Sequence, residues 1–263
     1  ERIQQTLPTD RYPLTVDYVD ENEDPVERAL HLSREKKPAG LLFLGGDRRM
    51  YAKSFGEITL PSVVLTTDAA RLGFDNLSSV TTDDVEAAEC AMEYLLESGH
   101  RRIGVIAGDL SCSGPSRLRY EGCLLALERC GLTLPDECCA TARYAFQDGY
   151  DAALRLLEQP GLTAIFAMSD VMAIGAMRAL HDRGLRIPED ISVIGFDGLE
   201  LGEFYTPKLT TIRQQASLLV DRGVALLLGT LERGAVARHE TVPFTLAVRE
   251  STSHPPRKDG TNS

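Results

Sequence analysis

Short apolar runs alternate with longer amphipathic segments along this chain, and that alternation limits the folds open to it. Runs of about four to eight residues are typical of buried strands, and the segments between them have helical periodicity. The predicted strands are Leu14–Val19, Gly40–Leu44, Ser62–Leu65, Ile103–Ala107, Thr141–Ala145, Ala164–Met168 and Ile191–Phe196. The predicted helices are Pro25–Glu35, Asp83–Glu97, Ser116–Cys130, Gly149–Glu158 and Asp170–Arg183. Because the strands are continuously apolar, we expect an α/β fold of parallel sheets flanked by helices.

Seven strand–helix units are too many for one comfortable sheet, so the 263 residues predict two α/β lobes. Residues Glu1–Leu7 have the pattern of a helix end, and residues 253–263 are predicted to be a disordered tail. No apolar run approaches the roughly 18 residues that a membrane-spanning helix needs.

The overall charge argues against nucleic-acid binding by this polypeptide. The formal net charge is −11, whereas a surface that binds nucleic-acid phosphates needs clustered lysine and arginine. The six cysteines form no CxxC pair and have no companion histidine spacing, which argues against a zinc site. We interpret them as small buried hydrophobic residues in a reducing cytoplasm.

Polar and aromatic residues follow several predicted strands of the second half. Arg119 opens a helix after Ile103–Ala107, Phe146 follows Thr141–Ala145, Ser169 and Asp170 follow Ala164–Met168, and Asp197 ends the run ISVIGFDG. Ligands bind beyond the carboxyl ends of strands in open parallel sheets. An aromatic face, an arginine, a hydroxyl and two carboxylates at one edge suit a polyol such as a sugar.

Each of these residues also has a purely structural explanation. Ser169 or Asp170 would serve as a helix cap, which is compatible with binding. Asp197 with Gly198 would form a turn, Phe146 would be a core residue, and Arg119 would be an ordinary surface arginine.

No catalytic arrangement is evident in the sequence. No histidine falls at the carboxyl edge, and Cys112, in a loop there, has no predicted base. A Gly-x-Gly-x-x-Gly or Walker loop is also missing, so neither a dinucleotide nor a nucleoside triphosphate is indicated. Asp170 and Asp197 remain an alternative as a hydrolase carboxylate pair. We therefore predict no enzyme activity, no cofactor and no metal.

Six stretches carry a family resemblance: SGHRRIGVIAG (98–108), RLRYEG (117–122), SDVMAIGAMRAL (169–180), IPEDISVIGFDG (187–198), TPKLTTIRQ (206–214) and VPFTLAVREST (242–252). In this order and spacing they resemble the LacI/GalR family of bacterial transcriptional repressors. The resemblance covers residues 1 to about 252. The Ile-Pro-Glu-Asp…Gly-Phe-Asp block followed by Pro-x-Leu-Thr-Thr is more typical of these regulators than of the related periplasmic sugar-binding proteins.

The resemblance implies a periplasmic-binding-protein-like fold with the effector in a cleft between two lobes. The N-terminal lobe would comprise residues 1–80 and 214–243, and the C-terminal lobe residues 82–212 and 246–252. Three interlobe crossovers would lie near Thr81–Thr82, Ile212–Gln214 and Phe244–Leu246. The helix-turn-helix headpiece and a counterpart of the first strand of the N-terminal lobe are not among these residues.

The resemblance also implies roles for particular residues. Arg119 matches an arginine that contacts sugar hydroxyls, and Asp197 matches the aspartate that holds the effector. Ser169 stands where many members have an effector-contacting asparagine, and Phe146 stands where an aromatic ring often stacks. The remaining candidates at this stage are Asp170, Thr66 and Gln214.

The function implied is that of the ligand-sensing domain of a cytoplasmic, homodimeric repressor. A sugar or sugar derivative would shift lobe closure and so control operator DNA binding through a headpiece outside this sequence. Sugar phosphates, purines and phosphoproteins are other effectors of this family. A periplasmic sugar-binding transport receptor is the alternative function with the same fold, and an interaction module without a ligand is a further one.

Overall fold

The computed structural model describes residues 2–19 and 23–256 of the chain. The chain divides into two compact units. The smaller unit comprises Glu1–Asp83, Cys112–Pro115 and Gln215–Pro243, and the larger comprises Asp84–Ser111, Ser116–Gln214 and Phe244–Ser263. The division by lobes that the resemblance implies stays a prediction, and it did not include residues 112–115 in the first lobe.

Ten strands are present in the described residues: β1 Leu41–Leu44, β2 Ser62–Leu65, β3 Leu77–Thr82, β4 Ile103–Ala107, β5 Cys139–Thr141, β6 Ala164–Ala167, β7 Ser192–Asp197, β8 Thr210–Gln214, β9 His239–Val242 and β10 Phe244–Ala247. The α-helices of the same ranges are α1 Arg2–Thr6, α2 Pro25–Lys36, α3 Arg48–Ser54, α4 Asp84–Glu97, α5 Pro115–Arg129, α6 Phe146–Leu156, α7 Asp170–Asp182, α8 Leu201–Phe204 and α9 Ala216–Arg233. Two short 3₁₀ helices lie at Phe55–Glu57 and Asp136–Cys138.

Each unit has one sheet. In the smaller unit the strand order is β1-β2-β3-β9, and all neighbours are parallel. In the larger unit the order is β10-β8-β7-β6-β4-β5, with only β10 antiparallel to its neighbour. Parallel sheets flanked by helices confirm the predicted α/β fold class. The strand order places the carboxyl ends of β4, β6 and β7 side by side.

Local apolar pattern was enough to locate most central elements. The strands Ser62–Leu65 and Ile103–Ala107 are confirmed at both ends, and the helix predicted at Asp83–Glu97 begins one residue later. The core of the larger unit explains this accuracy, because it contains β4, β6 and β7 together with the inner faces of α4 to α7. Elements that are buried on all sides or along one whole face have the strongest sequence signal.

The prediction of a strand at Leu14–Val19 is wrong. These residues form no strand, and Val16 and Tyr18 are exposed by 59% and 91%. A β-rich sequence becomes a strand only when a neighbouring strand pairs with it, and no strand of the described residues pairs here.

Two predictions near other termini of elements also need correction. The predicted strand Thr141–Ala145 is displaced, since β5 ends at Thr141 and Ala145 is the N-cap of α6. The disordered tail is wrong for residues 253–256, because Ser253 bonds to Ser192 and His254 Nδ1 lies 2.7 Å from the Ser98 carbonyl oxygen. Residues 257–263 of that prediction lie outside the described residues.

The cysteines are more varied than predicted. Cys123 and Cys138 are buried, which confirms their interpretation as core residues, and Cys90, Cys112 and Cys139 are half-buried. Cys130 is exposed, so the interpretation is wrong there. None of the helices in residues 2–19 and 23–256 is long and apolar enough to cross a membrane.

Candidate functional site

The carboxyl edge of the larger sheet is formed by the ends of β4, β6 and β7. The chain leaves β4 for α5, which carries Arg119, and it leaves β6 through Met168 and Ser169 into α7. Strand β7 ends at Asp197, which pairs in register with Arg213 of β8. Three neighbouring parallel strands therefore bring residues that are distant in sequence to one edge.

Arg119 is the central buried charge of this edge. Its side chain is 6% exposed, and its Nε donates to Asp84 Oδ1 at 2.7 Å. Its Nη1 donates to the Met168 carbonyl oxygen at 2.6 Å and lies 3.9 Å from Asp197 Oδ1. The guanidinium carbon is 3.6 Å from the centre of the Phe196 ring, a cation–π contact. The arginine is thus fixed in position by contacts from three parts of the unit: α4, the end of β6 and the end of β7.

Burial and neighbouring carboxylates have opposite effects on the pKa of Arg119. Burial by itself lowers the pKa of Arg119, but the negative charges of Asp84 and Asp197 outweigh burial, and the net pKa is raised. A buried cation is tolerated only when it is paired and hydrogen-bonded. Asp84, itself 5% exposed, is the largest of the charges that raise the pKa of Arg119 against burial.

Asp197 has an unusual backbone and an accessible side chain. Its φ is +114°, in the region that L-residues rarely adopt, while its side chain remains 31% exposed. Gln214 Nε2 donates to Asp197 Oδ1 at 2.8 Å, the same oxygen that lies near Arg119. Burial raises the pKa of Asp197, an effect that Arg119 and Gln214 partly oppose and that Asp84 strengthens.

Gly198 makes the turn after Asp197 possible. Its φ is +76°, and a Cβ atom there would lie 2.5 Å from Arg213 Cγ and 2.8 Å from Arg213 Cα. Residue 198 therefore needs to be glycine on two counts, backbone conformation and space. The turn explanation of Asp-Gly is correct, and it coexists with a carboxylate that is presented at the sheet edge.

Ser169 and Asp170 are much less accessible than Asp197. Ser169 is 1% exposed and caps α7, accepting from the Met172 N–H at 3.2 Å, which confirms its structural explanation. Asp170 is fully buried: its Oδ1 accepts from Thr211 Oγ1 and its Oδ2 from the Leu199 N–H, both at 2.6 Å. Their predicted contacts with an effector stay predictions, and this geometry favours support of the site over direct contact.

Two aromatic residues lie on the segment between β5 and α6. Phe146, the first residue of α6, is 49% exposed, so its explanation as a core residue is wrong. Tyr144 is 46% exposed, and its hydroxyl bonds to Ser116 Oγ on α5. Sequence reasoning missed Tyr144 because it fell inside the displaced strand prediction.

Thr66, the candidate that lies in the smaller unit, follows one of its strands. It directly follows β2 with φ +66°, and its N–H donates to the Val80 carbonyl oxygen at 2.9 Å. Thr67 Oγ1 and Tyr51 Oη donate to the neighbouring carbonyl oxygens of Gly46 and Gly45. This strand end is well ordered by hydrogen bonds, and any role of Thr66 in binding stays a prediction.

Of the seven candidates, the structure brings Arg119 and Gln214 to the same oxygen of Asp197. Sequence reasoning missed Asp84, the first residue of α4. Within residues 2–19 and 23–256, no three His, Cys, Asp or Glu side chains are grouped so as to hold a metal ion.

The chain matches known proteins over most of its length. Residues 92–252 match the family described as "Periplasmic binding protein-like domain". The "HTH-type transcriptional repressor PurR" of Pasteurella multocida (strain Pm70) is 31% identical over 246 residues, which are 90% of this chain and 72% of that protein. The "Ribose operon repressor" of Escherichia coli (strain K12) is 35% identical over 221 residues, 82% of this chain and 66% of that protein.

A solved structure gives the same result. A LacI family transcriptional regulator from Enterococcus faecium with bound ribose has a TM-score of 0.82 at 25% identity, covering 96% of this chain and 92% of that one. The chain spans about two thirds of the length of the curated relatives it matches. Those relatives are named as transcriptional repressors and not as enzymes.

Proposed function

The chain belongs to the LacI/GalR family of transcriptional regulators as its effector-binding domain, and on that premise we propose that it binds a sugar or sugar derivative through Arg119, Asp197 and Gln214. The effector contacts the carboxyl edge of the larger sheet. Ribose is bound in the Enterococcus faecium regulator, and the Escherichia coli relative is a ribose operon repressor, which supports a sugar.

One observation carries this proposal: the Asp197 side chain is 31% exposed, while the Arg119 side chain beside it and its partner Asp84 are buried. Gln214 and Arg119 both approach Oδ1, which leaves the other carboxylate oxygen to accept from a ligand hydroxyl. A carboxylate accepting from a hydroxyl makes a charge-assisted hydrogen bond, which is stronger than a neutral one. Fixed carboxylate and amide groups select hydroxyl positions, and the exposed ring of Phe146 suits the C–H face of a sugar.

The binding energy is also the source of regulation. An effector shifts an equilibrium between two protein states only by the difference between its affinities for them. In the complete regulator, that shift controls operator DNA binding by a headpiece outside this sequence. DNA of this kind is in the cytoplasm, so we place the protein there.

We include homodimer formation in the proposal. Leu199, Leu201 and Phe204 lie within six residues of chain and are exposed by 39%, 48% and 78%. Apolar side chains grouped on a surface mark association sites. A Phe204→Asp variant is therefore expected to reduce the mass measured by light scattering, whereas Val236→Asp, an equally exposed apolar position in the smaller unit, keeps it. A wild-type protein that is monomeric at high concentration would refute the dimer.

A thermal-shift panel of pentoses, hexoses, disaccharides, sugar phosphates and purines tests the proposed effector class. A ligand at 100 times its Kd stabilises the folded state by roughly 2.7 kcal/mol, a clear shift in melting temperature. We expect one sugar or sugar derivative to give this shift. A shift with purines alone would contradict the sugar assignment, and no shift with any compound would favour the interaction module.

Calorimetric titration of the identified sugar then tests the residue assignment. Asp197→Asn keeps the shape of the side chain, and asparagine tolerates positive φ. Losing a charge-assisted hydrogen bond costs about 1.5 kcal/mol or more, so Kd is expected to rise at least about tenfold. Asp182→Asn is the matched control, because Asp182 pairs with Arg178 on the surface of α7. Unchanged affinity in a folded Asp197→Asn protein would remove Asp197 from the site.

A further inference from the structure

The fully buried carboxylate of Asp170 holds the segment that follows β7. Its Oδ2 accepts from the Leu199 N–H at 2.6 Å. Its Oδ1 accepts from Thr211 Oγ1 on β8 at 2.6 Å. Asp170, the first residue of α7, thereby ties together a helix, a neighbouring strand and the loop that begins at Asp197.

The sheet makes room for this carboxylate at one position. A Cβ atom at Gly195, two residues before Asp197, would lie 2.3 Å from Asp170 Oδ1. Any other residue at position 195 would displace the carboxylate from β7. The missing side chain at Gly195 and the buried carboxylate at 170 are therefore parts of one arrangement.

The held segment contains strained backbone. Asp197 and Gly198 have φ values of +114° and +76° in succession. A residue in a sparsely populated backbone region is disfavoured and persists only where its surroundings impose it. The hydrogen bond from the Leu199 N–H to Asp170 constrains the chain two residues after Asp197.

We infer that Asp170 is a positioning residue for the effector site: by binding the Leu199 amide it fixes the backbone that follows Asp197 and so the direction of the Asp197 carboxylate. This inference rests on the proposed function for its effect on affinity. The effect of Asp170 on the loop does not depend on any ligand. Asp170 itself is too deeply buried to contact an effector.

The surroundings of Asp170 satisfy both the charged and the neutral carboxyl group. Burial raises the pKa of Asp170 to about 7, with the Asp197 charge adding to burial and the hydrogen bonds from Thr211 and Leu199 opposing it. When Asp170 is neutral, its proton is donated to Thr211 Oγ1, and that hydroxyl turns to the Ile212 carbonyl oxygen 3.2 Å away. The bond from the Leu199 N–H to Oδ2 is kept in either form, so the loop geometry depends on the acceptor oxygen and not on the charge.

Positioning by the acceptor oxygen of residue 170 predicts that Asp170→Asn and Asp170→Ala differ in their effect on the loop. Asp170→Asn retains an acceptor oxygen for the Leu199 amide and a donor for Thr211 Oγ1, whereas Asp170→Ala removes both. A residue that only filled space or supplied charge would not separate them in this way. Thr211→Val removes one partner of the carboxylate with little change in side-chain shape, and its effect is expected to lie between the other two.

Hydrogen exchange of the loop amides, measured without ligand, tests the positioning directly. We expect the peptide containing Gly198 and Leu199 to exchange about tenfold faster or more in Asp170→Ala, and near the wild-type rate in Asp170→Asn. Ser251→Ala is the matched control, because Ser251 hydroxyl bonds the amino ends of β7 and β8 and not this loop. Unchanged loop exchange in both Asp170→Ala and Thr211→Val would overturn the inference, and the Thr211→Val result decides if Asp170→Ala does not fold.

Calorimetry with ribose, or with the sugar that the panel identifies, tests the consequence for binding. Kd is expected to rise about tenfold in Asp170→Ala and to stay within about threefold of wild type in Asp170→Asn and Ser251→Ala. Equal loss of affinity in Asp170→Asn and Asp170→Ala would overturn positioning by the acceptor oxygen. If the wild-type protein binds no compound, the proposed function fails, while the exchange measurement still decides whether Asp170 holds the loop.

Discussion

The two ends of the larger sheet satisfy their buried polar groups by different chemistry. At the carboxyl end, Arg119 is paired with buried Asp84 and lies near Asp197, and the backbone adopts two positive φ values in succession. At the amino end, uncharged hydrogen bonds predominate. His100 contacts Thr163 Oγ1 and the Ser253 carbonyl oxygen, both at 2.9 Å, and Ser251 bonds to Val193 and Thr210.

The two ends of the sheet differ in the free energy that burial of their polar groups requires. Neutral hydroxyl and imidazole groups satisfy a strand end at little electrostatic cost, whereas buried charges must overcome desolvation of several kcal/mol each. The sheet could be closed at both ends by the neutral chemistry. Charge and strain at the carboxyl end are therefore expected to matter for both stability and binding, and the neutral hydrogen bonds of the amino end for stability alone.

The largest expected effect is the loss of stability in Arg119→Met. Removing one partner of a buried ion pair takes away the Arg119 charge that is paired with the buried Asp84 carboxylate, and it costs about 3 to 5 kcal/mol of the free energy of unfolding. Urea denaturation of the isolated chain measures it. Arg117→Met is the control two residues earlier on α5, where the pair with Glu121 is exposed and a change below about 1 kcal/mol is expected. Equal effects at both positions would erase the proposed contrast in burial.

A smaller loss of stability is expected at the amino end in Ser251→Ala. The variant leaves the Thr210 N–H without its serine acceptor and removes a bond to the Val193 carbonyl oxygen, which costs about 1 to 3 kcal/mol. Denaturation measures the loss. Weaker effector binding in this variant, at a temperature where it is fully folded, would contradict the separation of stability from binding.

The smallest expected effect is a pH dependence at His100. Burial lowers the pKa of His100 below its ordinary value of 6.5, an effect that the bond to the Ser253 carbonyl oxygen only partly opposes. The unfolded chain therefore takes up a proton at a higher pH than the folded chain. Stability from this group is fully present above pH 6.5 and falls as the pH drops through the folded pKa.

Unfolding free energies of wild type and His100→Gln, measured from pH 8 to pH 5, test this sign. The wild type should lose more stability than the variant toward the acid side. His31→Gln is the control, since His31 is an exposed residue of α2 paired with Glu35. A His100→Gln protein with the wild-type pH slope would show that another group is responsible.

The central elements of the fold were predictable because their burial is written in local apolar pattern. Strand β3 was not, since its sequence LSSVTT is polar although all six residues are buried. The hydroxyl groups of its serines form hydrogen bonds with residues outside the strand: Ser79 Oγ accepts from the Ala69 N–H, and Ser78 Oγ accepts from the Arg238 N–H. Helix α9 was missed as well. Its Gly223, unfavourable in an isolated helix, allows Leu65 to approach, where a Cβ atom would lie 2.5 Å from Leu65 Cδ2.

The candidate site was predictable to a similar depth. The strand-end rule and the family resemblance identified Arg119, Asp197 and Gln214, and in the structure Arg119 and Gln214 both approach Asp197 Oδ1. Asp84 was beyond local reasoning, because its partner is 35 residues away on another helix. The positions of Ser169 and Asp170 depend on three-dimensional hydrogen bonds that no local pattern encodes.

The backbone at Asp197 also bears on how this chain would respond to selection in the laboratory. Glycine at position 197 would adopt φ +114° without the penalty of a side chain, which is about 1 kcal/mol or more. It would also remove the carboxylate. A library selected only for heat resistance is therefore expected to enrich glycine at this position, and one selected for response to the effector should retain aspartate. Position 197 would thus record which of the two pressures had acted.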